Sequence, residues 1–232
     1  MLLSVIIPAL DEAGRIADTI WHAMRAPDVE VIVVDGGSAD GTAEIARAAG
    51  AEVIVTPPGR ASQMNAGASA AAGETLLFLH ADTRLPEDYH AHIERALATP
   101  GVVAGAFRLR VDTPGNSMRI VEWLANFRSE SMRMPYGDQG IFVRAELFRN
   151  AGGFPLTPIM EDYELMRQLR RRGRIAIADA EVVTSARRWE RMGVLRTTLI
   201  NQLVIIGYHL GVPPEKLKRL YNRDGGVRVY RI

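Results

Sequence analysis

Two acidic signatures in this sequence stand where carboxylates do chemistry. His80-Ala81-Asp82 ends the apolar run Leu76-Leu77-Phe78-Leu79, and Glu161-Asp162 opens a helical stretch about eighty residues later. A single aspartate stepping off a buried strand is a good ligand for a hard divalent cation. A second acidic pair, presented from another element, is a candidate general base. Together they point to metal-assisted group transfer.

The elements that must position these residues can be read from periodicity. Residues 3–7, 30–34, 51–55 and 75–79 are short apolar, β-branched-rich runs, and residues 12–25, 42–49 and 61–72 carry apolar residues at helical spacing. Pro86 opens the next helix, where its missing N–H costs nothing. This alternation predicts an α/β fold, a mostly parallel sheet with helices on both faces. Ligands of such sheets bind outside the carboxyl ends of the strands. Asp11 and Glu12, Asp35, and His80 and Asp82 all fall at those ends. Each alone reads equally well as a turn residue. Three sets at one edge read as a site.

The second half is less regular. Residues 102–111 and 141–143 read as strands, 118–127 and 162–172 as helices, and Gly137-Asp138-Gln139-Gly140 breaks the pattern between them. Two further strands, 175–178 and 182–185, run into Arg187-Arg188-Trp189, followed by an amphipathic helix at 193–210 and a short basic one at 214–220. With no repeat or low-complexity linker, the 232 residues are read as one domain. Its parts are a first half at 1–112, a second half at 113–192 and a C-terminal helical appendage at 193–232.

Bulk composition excludes more than it names. There is no cysteine, hence no disulfide, thiolate metal site or thiol nucleophile, and a reducing cytoplasmic setting is permitted. Net charge is +1, but residues 1–116 carry −7 and residues 117–232 carry +8. Solvated helix faces explain that asymmetry, as does a basic half that meets an anion: a diphosphate, a phosphorylated acceptor or the anionic inner face of a membrane. No aromatic-interleaved basic patch marks a nucleic-acid binder. The N-terminus lacks the basic region of a signal peptide, and residues 197–208 are too short and polar to span a bilayer. In the late helix Leu195, Leu199, Leu203 and Ile206 share a face. That face is expected to pack on the domain or on a second copy of the chain; the other reading lays it on a membrane beside Lys216, Lys218 and Arg219.

Four ordered segments resemble the family 2 glycosyltransferases, which have the GT-A fold. They are Ser4-Val5-Ile6-Ile7-Pro8-Ala9-Leu10-Asp11-Glu12, Val33-Val34-Asp35-Gly36-Gly37-Ser38-Ala39-Asp40-Gly41-Thr42, Phe78-Leu79-His80-Ala81-Asp82, and Glu161-Asp162. Residues 59–67 and 136–140 further resemble a small bacterial subgroup labelled as arsenosugar-biosynthesis glycosyltransferases. The resemblance implies a nucleotide-diphosphate sugar donor, UDP- or GDP-linked, and an acceptor that the sequence does not name. It also implies that Pro8, Ala9, Leu10 and Glu12 line the nucleotide pocket and that Asp35 hydrogen-bonds the base, with the amides around Gly37 close by.

Where the family carries Asp-x-Asp, this chain has His80-Ala81-Asp82. Only Asp82 matches the ligand of Mn²⁺ or Mg²⁺, which would offset charge on the departing diphosphate. His80 is left to a ribose, a phosphate or strand-end packing. Asp162 matches the family's base in inverting members, with Glu161 beside it. By position, Arg60, Gln63 and Asn65 are expected at the donor sugar or phosphate, and Asp138 and Gln139 at sugar or acceptor hydroxyls. Arg187 and Arg188 are expected to clamp the diphosphate and Trp189 to stack on a sugar ring. The rival readings are a nucleotidyltransferase, which would favour a Gly-rich cationic first loop, and a non-catalytic nucleotide-sugar-binding protein.

Overall fold

The alternation of the first half folds as follows. The computed structural model describes residues 2–113, 116 and 118–222. Its order begins β1 (Leu3–Ala9), α1 (Ile16–Ala23), β2 (Val29–Asp35), α2 (Thr42–Ala48), β3 (Glu52–Val55), α3 (Arg60–Ala70) and β4 (Thr75–Phe78). A two-residue β5 (Thr83–Arg84), α4 (Tyr89–Ala98), β6 (Val102–Asp112) and α5 (Arg119–Met132) follow. A 3-10 turn at Gly137–Gln139 leads to β7 (Ile141–Arg144), α6 (Ala145–Asn150), α7 (Glu161–Arg170) and β8 (Arg174–Ser185). Last come α8 (Arg187–Met192), α9 (Val194–His209) and α10 (Pro214–Asn222).

The eight strands form one sheet in the order β3-β2-β1-β4-β7-β6-β8-β5. β1 runs parallel to both β2 and β4, and β2 to β3. β7 is antiparallel to β4 and β6, while β6 and β8 are parallel. Every residue of β1 is buried, as a strand covered on both faces requires. Its side chains alternate between two cores. Val5, Ile7 and Ala9 join Ile16 and Ile20 of α1 and Tyr89 and Ile93 of α4. Ile6 faces Met64 of α3, Phe148 of α6 and Leu165 and Leu169 of α7.

Three details differ from the sequence expectation. The helix expected from residue 12 starts at Ile16, because Asp11 takes a left-handed conformation (φ 53°) and residues 12–15 form a turn. The two strands expected at 175–178 and 182–185 are one: Asp179, which breaks the apolar pattern, pairs with Arg108 of the neighbouring strand at 2.9 Å, and a register shift lies nearby at Ala106/Arg108. Among the described residues the apolar face of α9 does not pack on the domain. Leu195 is 88 % exposed and Leu199, Leu203 and Ile206 are exposed too, while Ile200 and Val204 carry the contact with Met160 and with Leu217 of α10. Residues 223–232 of the expected appendage lie outside the described residues. Among the described residues no helix is long and apolar enough to cross a membrane.

Candidate active site

The carboxyl ends of β1, β2 and β4 and the start of α8 bring three charges together. The Arg187 guanidinium donates through Nη1 to Glu12 Oε2 at 2.7 Å and through Nη2 to Glu12 Oε1, a bidentate pair, and Nη2 lies 3.3 Å from Asp82 Oδ2. Burial raises the Glu12 pKa, and Arg187 opposes that rise. For Arg187, burial works against the charge, but the Glu12 hydrogen bond and the Asp82 charge outweigh it and raise the pKa.

A second cluster lies on the other side of His80. Arg60, the first residue of α3, meets His80 Nε2 through Nη2 and Glu161 Oε1 through Nε at 3.2 Å. Burial first, then Arg60 and Arg187, hold the His80 imidazole well below its ordinary pKa. The ring is therefore neutral at pH 7 and accepts from Arg60. Glu161 is buried and raised by that burial, with Arg60 opposing. Asp162 is held at both oxygens: Oδ2 accepts from the Gly137 N–H and Oδ1 from its neighbour Tyr163, each at 2.7 Å. Glycine at 137 has a steric reason. A Cβ there would sit 2.5 Å from Arg60 Nη2, 3.1 Å from Asp162 Oδ2 and 3.2 Å from His80 Nε2. Met160, immediately before the acidic pair, is itself left-handed (φ 68°), a local strain of the kind found at functional sites.

Beyond this cluster opens a cavity of about 1010 Å³, between α5, the 156–160 loop and the α9–α10 pair. Arg60, His80, Glu161 and Asp162 line it, but Glu12, Asp35 and Asp82 do not. Asp138 also lines it and is raised by burial, with Arg128 opposing.

The sequence model described as "Glycosyl transferase family 2" matches residues 4–150. The chain belongs to glycosyl transferase family 2. It is an enzyme, a glycosyltransferase with the GT-A fold. Among solved structures it is similar to S. aureus TarS 1–349 (17% identity, 96% of this chain and 71% of that one, TM-score 0.61). TarS has also been solved in complex with UDP-GlcNAc (17% identity, 96% and 71%, TM-score 0.60). Similar too is glucosyl-3-phosphoglycerate synthase from Mycobacterium tuberculosis, solved with Mn²⁺, UDP and glucosyl-3-phosphoglycerate (23% identity, 87% of this chain and 78% of that one, TM-score 0.63). At these identities the likeness shows the fold. No curated protein matches the chain.

In this glycosyltransferase the expected residues divide. Pro8, Ala9, Leu10, Glu12, Asp35 and Gly37 lie at the ends of β1 and β2, and Ala81 and Asp82 just past β4. Asp35 spends its carboxylate locally, accepting at Oδ2 from the N–H groups of Gly37 (2.9 Å) and Ser38 (2.8 Å) and at Oδ1 from the Ser38 hydroxyl (2.5 Å). Four expected ligand contacts are corrected. Gln63 is fully buried and donates to the Ala9 and Val34 carbonyls, tying α3 to two strand ends. Asn65 clips the backbone of Phe154 through both ends of its amide. Gln139, also fully buried, donates to the Phe107 carbonyl and Ser129 and accepts from Arg128 and from the Tyr136 N–H. In each case orphan backbone groups at element ends claim the amide. Arg188 turns away from Arg187 and stacks over the Tyr221 ring of α10 at 3.5 Å.

Trp189 lines the cavity, as do Tyr136 and Tyr221. Sequence reasoning missed both tyrosines, Gly137 and the whole α5 wall. Only the glycine left a trace in the sequence, as the break at 137–140.

Among the described residues no group of three or more His, Cys, Asp or Glu side chains could hold a metal ion alone. Yet Asp82 and Glu12 converge on a single guanidinium. Two carboxylates at one cationic position suit a hard cation that takes its remaining ligands from phosphates.

Proposed function

We propose that this enzyme is an inverting glycosyltransferase that moves a sugar from a nucleotide-diphosphate donor, UDP- or GDP-linked, to an acceptor hydroxyl, with Asp162 as base. The acceptor oxygen attacks the anomeric carbon while its proton passes to the Asp162 carboxylate. The anomeric bond to the diphosphate breaks on the opposite side, and the nucleoside diphosphate departs with the electron pair. The observation that carries this reading is the placement of Asp162. It lies at the floor of an open cavity, its oxygens aligned by two backbone N–H groups, with Arg187, Glu12 and Asp82 across His80. A base fixed in position is what a weak hydroxyl nucleophile needs.

In this proposal the donor lies along the ends of β1, β2 and β4, as TarS and the synthase with their UDP ligands support by fold analogy. Asp82, with Glu12 beside it, would hold Mn²⁺ or Mg²⁺, which stabilises charge on the departing diphosphate. Arg187 then exchanges its contact with Asp82 for one with the diphosphate, for which its planar fork is suited. Neutral His80 accepts from Arg60, which also meets Glu161, the carboxylate next to Asp162 in sequence. The resemblance of residues 59–67 and 136–140 to the arsenosugar-labelled subgroup adds these two loops to the proposed site. Nucleoside diphosphate release from a panel of UDP- and GDP-sugars, with Mn²⁺ and with a chelator, tests the assignment. Release from one donor that depends on the cation supports it; no binding and no release from any of them removes it.

A further inference from the structure

Resting on the transferase reading, we infer that the acceptor is an amphiphile, a neutral hydroxyl-bearing head on an apolar chain or ring body, seated in the cavity between α5 and α9. The walls are apolar where a water-soluble sugar would want hydrogen bonds. Val121, Leu124 and Phe127 line one side, Leu156 and Ile159 the loop and Ile205 the other. Leu124, Phe127 and Leu156 are 47 %, 55 % and 77 % exposed, an apolar surface left uncovered among the described residues. At about 1010 Å³ the cavity has the size of a site for a whole drug-sized molecule, larger than one sugar ring needs.

A second observation fixes the chemistry of the head. Asp138 Oδ1, Thr157 Oγ1, Trp189 Nε1, Thr198 Oγ1 and Asn201 Oδ1 are buried, make no hydrogen bond among the described residues, and belong to residues lining this one cavity. Buried polar groups are ordinarily paired, and an apolar pocket with a few convergent unpaired polar atoms is how a ligand site looks before its ligand arrives. The set mixes acceptors, a carboxylate oxygen and an amide oxygen, with the indole N–H donor and two hydroxyls that do either. Hydroxyl groups satisfy all of them, donating to Asp138 and Asn201 and accepting from Trp189. A fully ionised phosphate or sulfate head cannot donate to the two acceptors; since Arg60, Arg128, Arg170 and Lys218 line the cavity along with the carboxylates, this lack of a donor rather than charge is what disfavours it. The cavity floor holds Asp162, so a head at the polar end presents its hydroxyl to the proposed base while the apolar body runs out along α5.

The test measures binding to the intact protein by calorimetry, independently of turnover, with alkyl glucosides of increasing chain length kept below their micelle-forming concentrations. Dodecyl phosphate serves as the anionic control and UDP with Mn²⁺ as a separate titration. Each methylene that enters the cavity should tighten binding by up to about fourfold. Leu124→Glu should abolish that chain-length dependence, while Leu195→Glu, on the exposed face of α9 outside the cavity, should keep it. Both positions are exposed enough for the variants to fold, and unaltered UDP affinity checks this for each. Affinity independent of chain length, chain-length dependence that survives Leu124→Glu, or tighter binding of dodecyl phosphate than of dodecyl glucoside would each overturn the inference. Failure of UDP to bind the wild type would instead remove the donor assignment, and chain-length dependence would then still identify the cavity's ligand.

Discussion

At the ends of β1 and β2 almost every polar group is already paired. The Glu12 N–H donates to Thr42, the Ala13 N–H to Asp40, and the Asp11 carboxylate accepts from Ala39. Gln63 and Asp35 are used up in the same way. Across His80, in the cavity walled by α5 and α9, five buried polar atoms have no hydrogen-bond partner among the described residues and stand among apolar side chains. The first region is a rigid frame whose shape is set before any ligand binds. The second has polar groups left open, among the described residues, for the proposed acceptor. A frame of backbone and fixed turns suits the proposed donor, and a pocket of open side-chain groups suits the proposed acceptor. His80, Arg60 and Gly137 form the seam between them.

The contrast can be broken hardest at Asp162. Asp162→Asn keeps the shape and, through its one amide oxygen, a single one of the hydrogen bonds from Gly137 and Tyr163, but cannot take a proton, so transfer should fall about 10²–10⁴-fold. UDP affinity, a property of the other region, should hold. Transfer rate and calorimetric affinity measured on the same variant decide it; a proportional loss of both would move Asp162 to the donor side.

Gly137→Ala attacks the seam. Its new methyl must displace Arg60, Asp162 or His80, and a misplacement of that order costs about 10²-fold in rate. The melting temperature should hardly change, since the clash falls on side-chain ends. Wild-type activity would show that the seam tolerates a shift of several tenths of an ångström.

Next in size, Arg187→Ala separates the regions from the donor side. Loss of a charge-assisted contact of about 1.5 kcal/mol should weaken UDP binding roughly tenfold. Alkyl glucoside affinity should stay as it is. Stability should drop by only about 1 kcal/mol, because more than a third of the Arg187 side chain is exposed to screening solvent. Equal weakening of both ligands would show that the two regions are coupled.

The smallest effect is a pH dependence. The folded His80 pKa is depressed, so the stability His80 contributes is fully present above the unfolded value near 6.5 and is lost as pH falls below it. Between pH 6.5 and 5.5 the wild type should lose about 1 kcal/mol more than His80→Gln, read from denaturant midpoints. Raised groups such as Glu161 and Asp138 act with the opposite sign, since they favour the protonated folded state as pH falls, and they are common to both proteins. Parallel profiles for the two would mean that His80 is protonated in the folded state.

The amino-acid sequence by itself determined the doubly wound first half, because buried parallel strands must be continuous apolar runs and the helices between them must show a 3.6-residue period. It also determined that Glu12, Asp35, Asp82 and the Glu161-Asp162 pair stand at element ends, since a polar residue that breaks such a run has nowhere else to go. What each polar side chain touches was decided only in three dimensions. An amide such as Gln63, Asn65 or Gln139 reads the same whether it meets a ligand or an orphan carbonyl, and all three went to backbone or buried side-chain groups. Arg187 reaches Glu12 across 175 residues because parallel pairing of β6 with β8 delivers α8 to the edge where β1 ends. The cavity forms where α5, α9, α10 and the 156–160 loop come together. A void is a property of the gap between elements, and no single segment encodes it.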